Sequence, residues 1–122
     1  MDKKILIVDD DPPIVELLKL TLENAGFKTL SAYDGDEAIE KIKDGKPDLI
    51  LLDIMLPTKD GYSVLDELKS SSEFKILPIV IISAKVREVD ISFGLEKGAD
   101  DYFTKPLDLD RLVLRVKELL GA

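Results

Sequence analysis

Leu49-Ile50-Leu51-Leu52-Asp53-Ile54-Met55-Leu56-Pro57 decides how this chain is read. An apolar run of strand length closes on a carboxylate and then continues apolar. A carboxylate at the end of a buried strand is costly to desolvate unless something pairs with it. A second run, Ile5-Leu6-Ile7-Val8, also ends in acid, at Asp9-Asp10-Asp11. Two such ends imply one polar site where the strands stop, and that edge is where open α/β sheets keep their ligands.

Outward from these two runs, strand-like and helix-like periods alternate. Strands are expected at Lys4–Asp9, Phe27–Tyr33, Asp48–Asp53, Pro78–Ser83 and Ala99–Thr104. After Asp11-Pro12-Pro13, an N-cap followed by prolines that a first turn tolerates, Ile14, Leu17, Leu18, Thr21, Leu22 and Ala25 recur at helical spacing, and Gly26 stops the helix. A short helix over Asp36–Lys43 ends at Asp44-Gly45-Lys46-Pro47. Asp60-Gly61 opens a third helix, with Val64, Leu65 and Leu68 inward. Arg87–Lys97 forms a fourth. Leu109, Leu112, Val113, Val116, Leu119 and Leu120 form the inner stripe of a fifth. The near-continuous apolar strands 1, 3 and 4 suit a parallel sheet covered on both faces. Right-handed crossovers then place helices on both sides. The fourth helix is unusual: Val86, Val89 and Phe93 lie on one side, with Ile91 and Leu95 nearly opposite. Both stripes cannot easily be buried, so this helix carries either scattered surface apolar residues or a partner-binding patch.

The 122 residues make one domain, 1–122, and 45% hydrophobic with 34% charged residues is an ordinary globular balance. No apolar run approaches the roughly 20 residues of a bilayer span, and Met1-Asp2-Lys3-Lys4 carries no cleavable signal pattern. The chain has no Cys and no His, which fits a cytoplasmic protein and removes the commonest zinc ligands and general base. A net charge of −8 argues against nucleic-acid binding by this domain and against anionic membranes.

In a parallel sheet all strand C-termini share one edge. Asp9, Asp10 and Asp11, then Asp53, Ser83 and Thr104-Lys105-Pro106 therefore converge. Two carboxylates about 5 Å apart repel by roughly 3 kcal/mol at an effective dielectric near 20. Lys105 supplies one positive charge and a hard divalent cation supplies more. Oxygen-only ligands favour Mg²⁺, Mn²⁺ or Ca²⁺ over zinc. Mg²⁺ completes its shell with phosphate oxygens, so such a site gathers phosphate beside a carboxylate that can act as nucleophile.

At these residues the chain resembles the receiver domains of two-component response regulators. The matching elements are Val8-Asp9-Asp10, Asp53-Ile54-Met55-Leu56-Pro57 with Asp60-Gly61, Ser83-Ala84, and Gly98-Ala99-Asp100-Asp101-Tyr102-Phe103-Thr104-Lys105-Pro106. The resemblance runs from Lys3 to about Leu120. It implies a flavodoxin-like, doubly wound five-strand parallel sheet in order 2-1-3-4-5 with five helices. It implies that Asp53 accepts a phosphoryl group from a sensor histidine kinase or a histidine phosphotransfer protein. Asp10 would hold Mg²⁺ (or Mn²⁺) directly, Asp9 mainly through water, and Asp53 and the Met55 carbonyl would complete the set. Lys105, the Ser83 hydroxyl and the Ala84 N–H would take phosphoryl oxygens. Ser83 would move inward on phosphorylation, and Tyr102 would swing from outward to inward, changing the face of helix 4, strand 5 and helix 5. The Lys105–Pro106 bond would be cis. Such a domain is a switch, catalysing only its own phosphorylation and dephosphorylation.

Taken singly, several residues have plainer readings: Asp11 and Asp60 as helix caps, Ser83 as a polar strand end, Tyr102 as an edge aromatic, Lys105 as a solvated loop lysine. Only their company assigns them chemistry. Asp100-Asp101-Tyr102 and Arg115 resemble the winged-helix DNA-binding subfamily, whose receivers form homodimers through helix 4, strand 5 and helix 5. Asp101 with Arg115 fits one of its cross-dimer pairs. Ile91, Arg111 and Glu118 depart from the others. Val15, Leu18, Lys19 and Leu22 with the Pro106-Leu107 loop suggest a kinase-docking face. The end at Gly121-Ala122 fits a stand-alone receiver and a piece of a longer regulator alike. An aspartyl phosphohydrolase usually places nucleophile and acid as Asp-x-Asp after strand 1, whereas the lone strand-end Asp here, Asp53, follows strand 3; a flavin module would need a Ser/Thr/Gly phosphate loop after strand 1, where Asp9-Asp10-Asp11 would repel phosphate.

Overall fold

The computed structural model describes residues 2–121; Met1 and Ala122, the ends of the span read as one domain, lie outside them. Strands and helices alternate without exception: β1 (Lys4–Val8), α1 (Pro12–Asn24), β2 (Lys28–Ala32), α2 (Gly35–Gly45), β3 (Leu49–Asp53), α3 (Gly61–Lys69), β4 (Ile79–Ser83), α4 (Glu88–Glu96), β5 (Asp101–Thr104) and α5 (Leu109–Leu120). All four strand pairings are parallel, in the order β2-β1-β3-β4-β5. This is the doubly wound flavodoxin-like arrangement expected from the sequence.

Alternation along the strands divides the core in two. Leu6, Val8, Ile50, Leu52, Ile79 and Ile81 point to the side of α2 and α3, where they meet Ala38, Ile42, Val64, Leu65 and Leu68. Ile5, Ile7, Leu49, Leu51, Val80 and Ile82 point to the side of α1 and α5, against Val15, Leu18, Leu22, Leu112 and Val116. A strand buried on both faces reads as a near-continuous apolar run, and β3 and β4 are buried along their whole length, apolar up to Asp53 and Ser83 at their ends. Register then sets the site: Val8 pairs with Leu52, so Asp9 leaves the sheet level with Asp53, and Ser83 pairs with Thr104, one residue before Lys105.

Three local readings are corrected. Leu17 stands largely exposed rather than in the inner stripe of α1. The second helix extends through Gly45, with Lys46 as its left-handed cap at φ 47°. Gly45 is spent on close packing, since a Cβ there would run into the Leu30 side chain of β2. Asp11 holds the N-cap position of α1 but makes no side-chain cap bond. Pro12 and Pro13 have no N–H to donate, and the Ile14 N–H goes to the Asp11 carbonyl instead. Asp34, Asp60 and Asp108 do cap α2, α3 and α5, accepting from the N–H groups of Glu37, Ser63 and Arg111.

The two apolar stripes of α4 are resolved as well. Gly94 is its sole buried residue; Val86, Val89, Phe93 and Leu95 are exposed and Ile91 is half-buried. The helix rests on the sheet through Gly94, where a Cβ would come within 2.7 Å of Ile81 and 3.2 Å of Tyr102. Phe93 meets Tyr62 of α3 edge-on, centroids 4.8 Å apart, and Lys97 pairs with Asp66 at 2.8 Å. Gly94→Val should therefore destabilise the domain by about 2 kcal/mol through overpacking. Val89→Ala should change it by less than about 0.5 kcal/mol. Urea midpoints of the two variants measure the contrast; equal losses would mean that α4 is held by its side chains.

Candidate functional site

Among the described residues, Asp9, Asp53 and Ser83 are the buried polar or charged ones, with Asp9 fully buried and Asp53 only 5% exposed. All three lie at the carboxyl edge of the central strands. The Lys105 ammonium, one residue beyond β5, donates to Asp9 Oδ2 at 2.8 Å and Asp53 Oδ2 at 3.2 Å. Asp9 Oδ1 accepts from the Asp11 N–H at 3.0 Å and Asp53 Oδ1 from the Met55 N–H at 3.3 Å. The Ser83 hydroxyl accepts from the Lys85 N–H at 3.1 Å. No buried side-chain polar atom among the described residues lacks a partner. Burial here is thus compensated by hydrogen bonds, as a low-dielectric interior requires.

Compensation is incomplete for charge. Burial first, and then repulsion from Asp9, push the Asp53 carboxyl above its ordinary value of 3.8 despite the Lys105 ion pair and the Met55 N–H. For Lys105, burial pulls downward and is the largest single influence. The hydrogen bonds and charges of Asp9 and Asp53 together outweigh it and leave the ammonium above its ordinary 10.5. A carboxyl raised in the folded state binds its proton more tightly there than in the unfolded chain, so its contribution to stability falls as pH rises from 3.8 through the raised value. Lys105 works the other way: its stabilisation is present below 10.5 and is lost above it.

Oxygens of Asp9, Asp10 and Asp53 lie within 4.8 Å of one another. Asp10 is exposed and faces the open side. A set of carboxylates with an excess of negative charge and no nitrogen or sulfur donor fits a hard divalent cation. The groove beside it is lined by Asp10, Met55, Leu56, Asp60, Tyr62 and Lys85, and the Met55 side chain stands 61% exposed at its rim. Ala84 is exposed next to Ser83. The Lys105–Pro106 peptide bond is cis.

The site reaches the neighbouring face through the backbone of one residue, Lys85. Lys85 gives its N–H to Ser83, and its carbonyl accepts from the Tyr102 hydroxyl at 3.0 Å. Tyr102 is half-buried, against Gly94 of α4. Arg115, expected to pair across a dimer, closes on Asp101 of its own chain at 2.7 Å. The docking face suggested on α1 does not survive as drawn, because Val15, Leu18 and Leu22 are core residues; the apolar residues α1 exposes are Leu17 and Leu20.

With the geometry in place, comparison with known proteins is direct. The model of the response regulator receiver domain matches residues 5–117. The chain belongs to this family. The receiver domain of a Francisella response regulator is 37% identical and superposes with a TM-score of 0.92, covering 98% of each chain. A two-component response regulator from Clostridium difficile is 37% identical (TM-score 0.91; 98% of this chain and 97% of that one). A chemotaxis response regulator of Vibrio cholerae is 27% identical (TM-score 0.91; 98% and 100%). Receiver domains are signalling switches rather than conventional enzymes. Among the described residues no helix is long and apolar enough to cross a membrane.

Two participants were missed in the sequence. Tyr62 was not singled out, although its position beside the acceptor loop and against Phe93 links the groove to α4. Thr58 gave no signal, because nothing in Pro57-Thr58-Lys59 announces the positive φ of 65° it adopts.

Replacing Asp53 by Asn removes a buried charge that is disfavoured at neutral pH. Asp53→Asn should have a higher urea midpoint than the wild type at pH 7. The advantage should shrink as pH falls towards 3.8, because the wild-type carboxyl, held above that value, takes up its proton on the way. Chemical denaturation across that range is the measurement; an advantage independent of pH would reject the electrostatic account.

Proposed function

We propose that this domain is a phospho-accepting switch in which Asp53 takes a phosphoryl group from the phosphohistidine of a sensor kinase or a histidine phosphotransfer protein. The observation that carries the reading is the Lys105 ammonium held between the buried carboxylates of Asp9 and Asp53. An Asp53 oxygen attacks phosphorus, the phosphorus–nitrogen bond breaks, and its electron pair returns to the donor imidazole. The reaction offers little covalent work to the protein, so catalysis is positioning and charge neutralisation. Lys105 is placed to move from the Asp53 carboxylate to a phosphoryl oxygen. The Ser83 hydroxyl and the Ala84 N–H take the others. Asp10, Asp9, Asp53 and the Met55 carbonyl would hold Mg²⁺, with Mn²⁺ as a substitute. That ion supplies positive charge to the phosphoryl oxygens when bound.

The output follows from Lys85, the residue whose backbone Ser83 and Tyr102 share. A Ser83 hydroxyl drawn towards a phosphoryl oxygen gives up the Lys85 N–H, and the carbonyl of that same residue holds the Tyr102 hydroxyl. Movement of this unit is transmitted to α4, which has few other attachments. The local charge change thereby shifts the population of the α4–β5–α5 face. The partner is then an output domain, another protein, or a second copy across that face. The setting is cytoplasmic, without direct contact of this domain with nucleic acid or membrane.

Acetyl phosphate with Mg²⁺ should add one acid-stable, base-labile phosphoryl group, and Asp53→Asn should abolish it. Equal labelling of the Asn variant, or labelling without a divalent cation, would sink the proposal. Sedimentation with and without beryllofluoride tests the homodimer: association on activation supports it, and a monomer in both states confines the output to another partner.

A further inference from the structure

The β3–α3 loop that carries the Met55 carbonyl is tied down at both ends. At its base, Gly61 N–H donates to the Ile54 carbonyl at 2.8 Å and Leu56 N–H to the same carbonyl at 3.1 Å. At its apex it is fastened to a different unit of the fold, the turn that opens α2. Thr58 Oγ1 donates to Asp34 Oδ1 at 3.3 Å and accepts from the Asp36 N–H at 3.3 Å. Gly35 N–H donates to the Pro57 carbonyl at 3.2 Å. The two backbones approach so closely that a Cβ at Gly35 would overlap the Lys59 carbonyl. Asp34 Oδ1 also caps α2 through the Glu37 N–H at 2.8 Å. Acceptor loop, turn and helix are thereby one connected body.

Thr58 holds this position at a cost. A β-branched residue at φ 65° is sterically disfavoured, and glycine or asparagine would adopt that angle more easily. Neither would place a hydroxyl between Asp34 and Asp36. A strained backbone persists when its surroundings over-determine it, and such strain gathers where a site must be held ready. Preorganised carbonyls and carboxylates bind a cation without first paying to order the chain.

We infer that Thr58 and Asp34 form a brace that positions the Met55 carbonyl, and with it the Asp53 backbone, for the divalent cation. The inference rests on the proposed phospho-acceptor reading and adds to it two positioning residues that touch neither phosphoryl group nor ion. The brace acts on cation affinity rather than on the chemistry that follows. Its signature is a loss that saturating cation repairs.

Three variants separate hydroxyl from strain. Thr58→Val keeps the branched side chain and loses the hydroxyl. Thr58→Gly loses the hydroxyl and releases the strain. Thr58→Ser keeps the hydroxyl. Calorimetric titration with Mg²⁺ should show affinity about tenfold weaker for the Val and Gly variants, the lower end of what outer-shell partners contribute to metal sites, and unchanged for Ser. Amide exchange over residues 55–61 should accelerate in the same two. Their labelling by acetyl phosphate should be slow at low Mg²⁺ and should return to the wild-type rate at saturating Mg²⁺. Wild-type affinity in the Val and Gly variants, or a rate deficit that saturating Mg²⁺ does not repair, would overturn the brace. Failure of the wild type itself to bind Mg²⁺ and to be labelled would instead overturn the phospho-acceptor reading on which it stands.

Discussion

One ammonium makes the carboxyl edge of this sheet possible. Asp9 and Asp53 are delivered side by side by the β1–β3 register, inside a structure that has excluded water from both. Left alone, each would disfavour the charge of the other. Lys105, arriving from a strand two places away, touches both. A buried pair broken by removing one partner typically costs about 3–5 kcal/mol, because the remaining charge has nowhere to go. Here two carboxylates depend on the same cation, so neutralisation is only partial, and the Asp53 carboxyl stays above its ordinary value. The residual negative charge leaves Asp9, Asp10 and Asp53 as a group that could hold a further cation.

Most of this was legible in the chain. Apolar runs ending in acid are rare enough that two of them already indicate a common edge, and a parallel sheet leaves no other place for Ser83 and Lys105. The core of β3 and β4, and the inner faces of α3 and α5, follow from periodicity alone. Strand order required the family resemblance, since five similar strands can be threaded in several right-handed ways. The family match over residues 5–117 and the observed topology agree with it.

What the sequence did not show has identifiable causes. Gly45 looked like a helix stop because glycine usually serves as one. Its actual use, close packing against Leu30, depends on how the preceding strand, β2, folds back against the end of α2. Leu17 looked like core because it fits the helical period, but α1 already fills its side of the sheet with Val15, Leu18 and Leu22. Arg115 and Asp101 fit the family's pairing across two chains, and within one chain they also meet, which their spacing alone does not show. Thr58 was invisible because its φ is imposed by contacts across twenty-odd residues, not by its neighbours. In each case a tertiary contact, rather than a local preference, decides the outcome.

The thin attachment of α4 has a consequence for how this domain can change over evolutionary time. With glycine as its one buried position, almost every other residue of the helix can be replaced without disturbing the core. Folding and recognition are then written in separate parts of the chain. New surfaces can be explored on α4 while the charged carboxyl edge, which depends on Asp9, Asp53 and Lys105, is left untouched. A single scaffold can in this way diverge into many non-interfering signalling channels by drift in one helix.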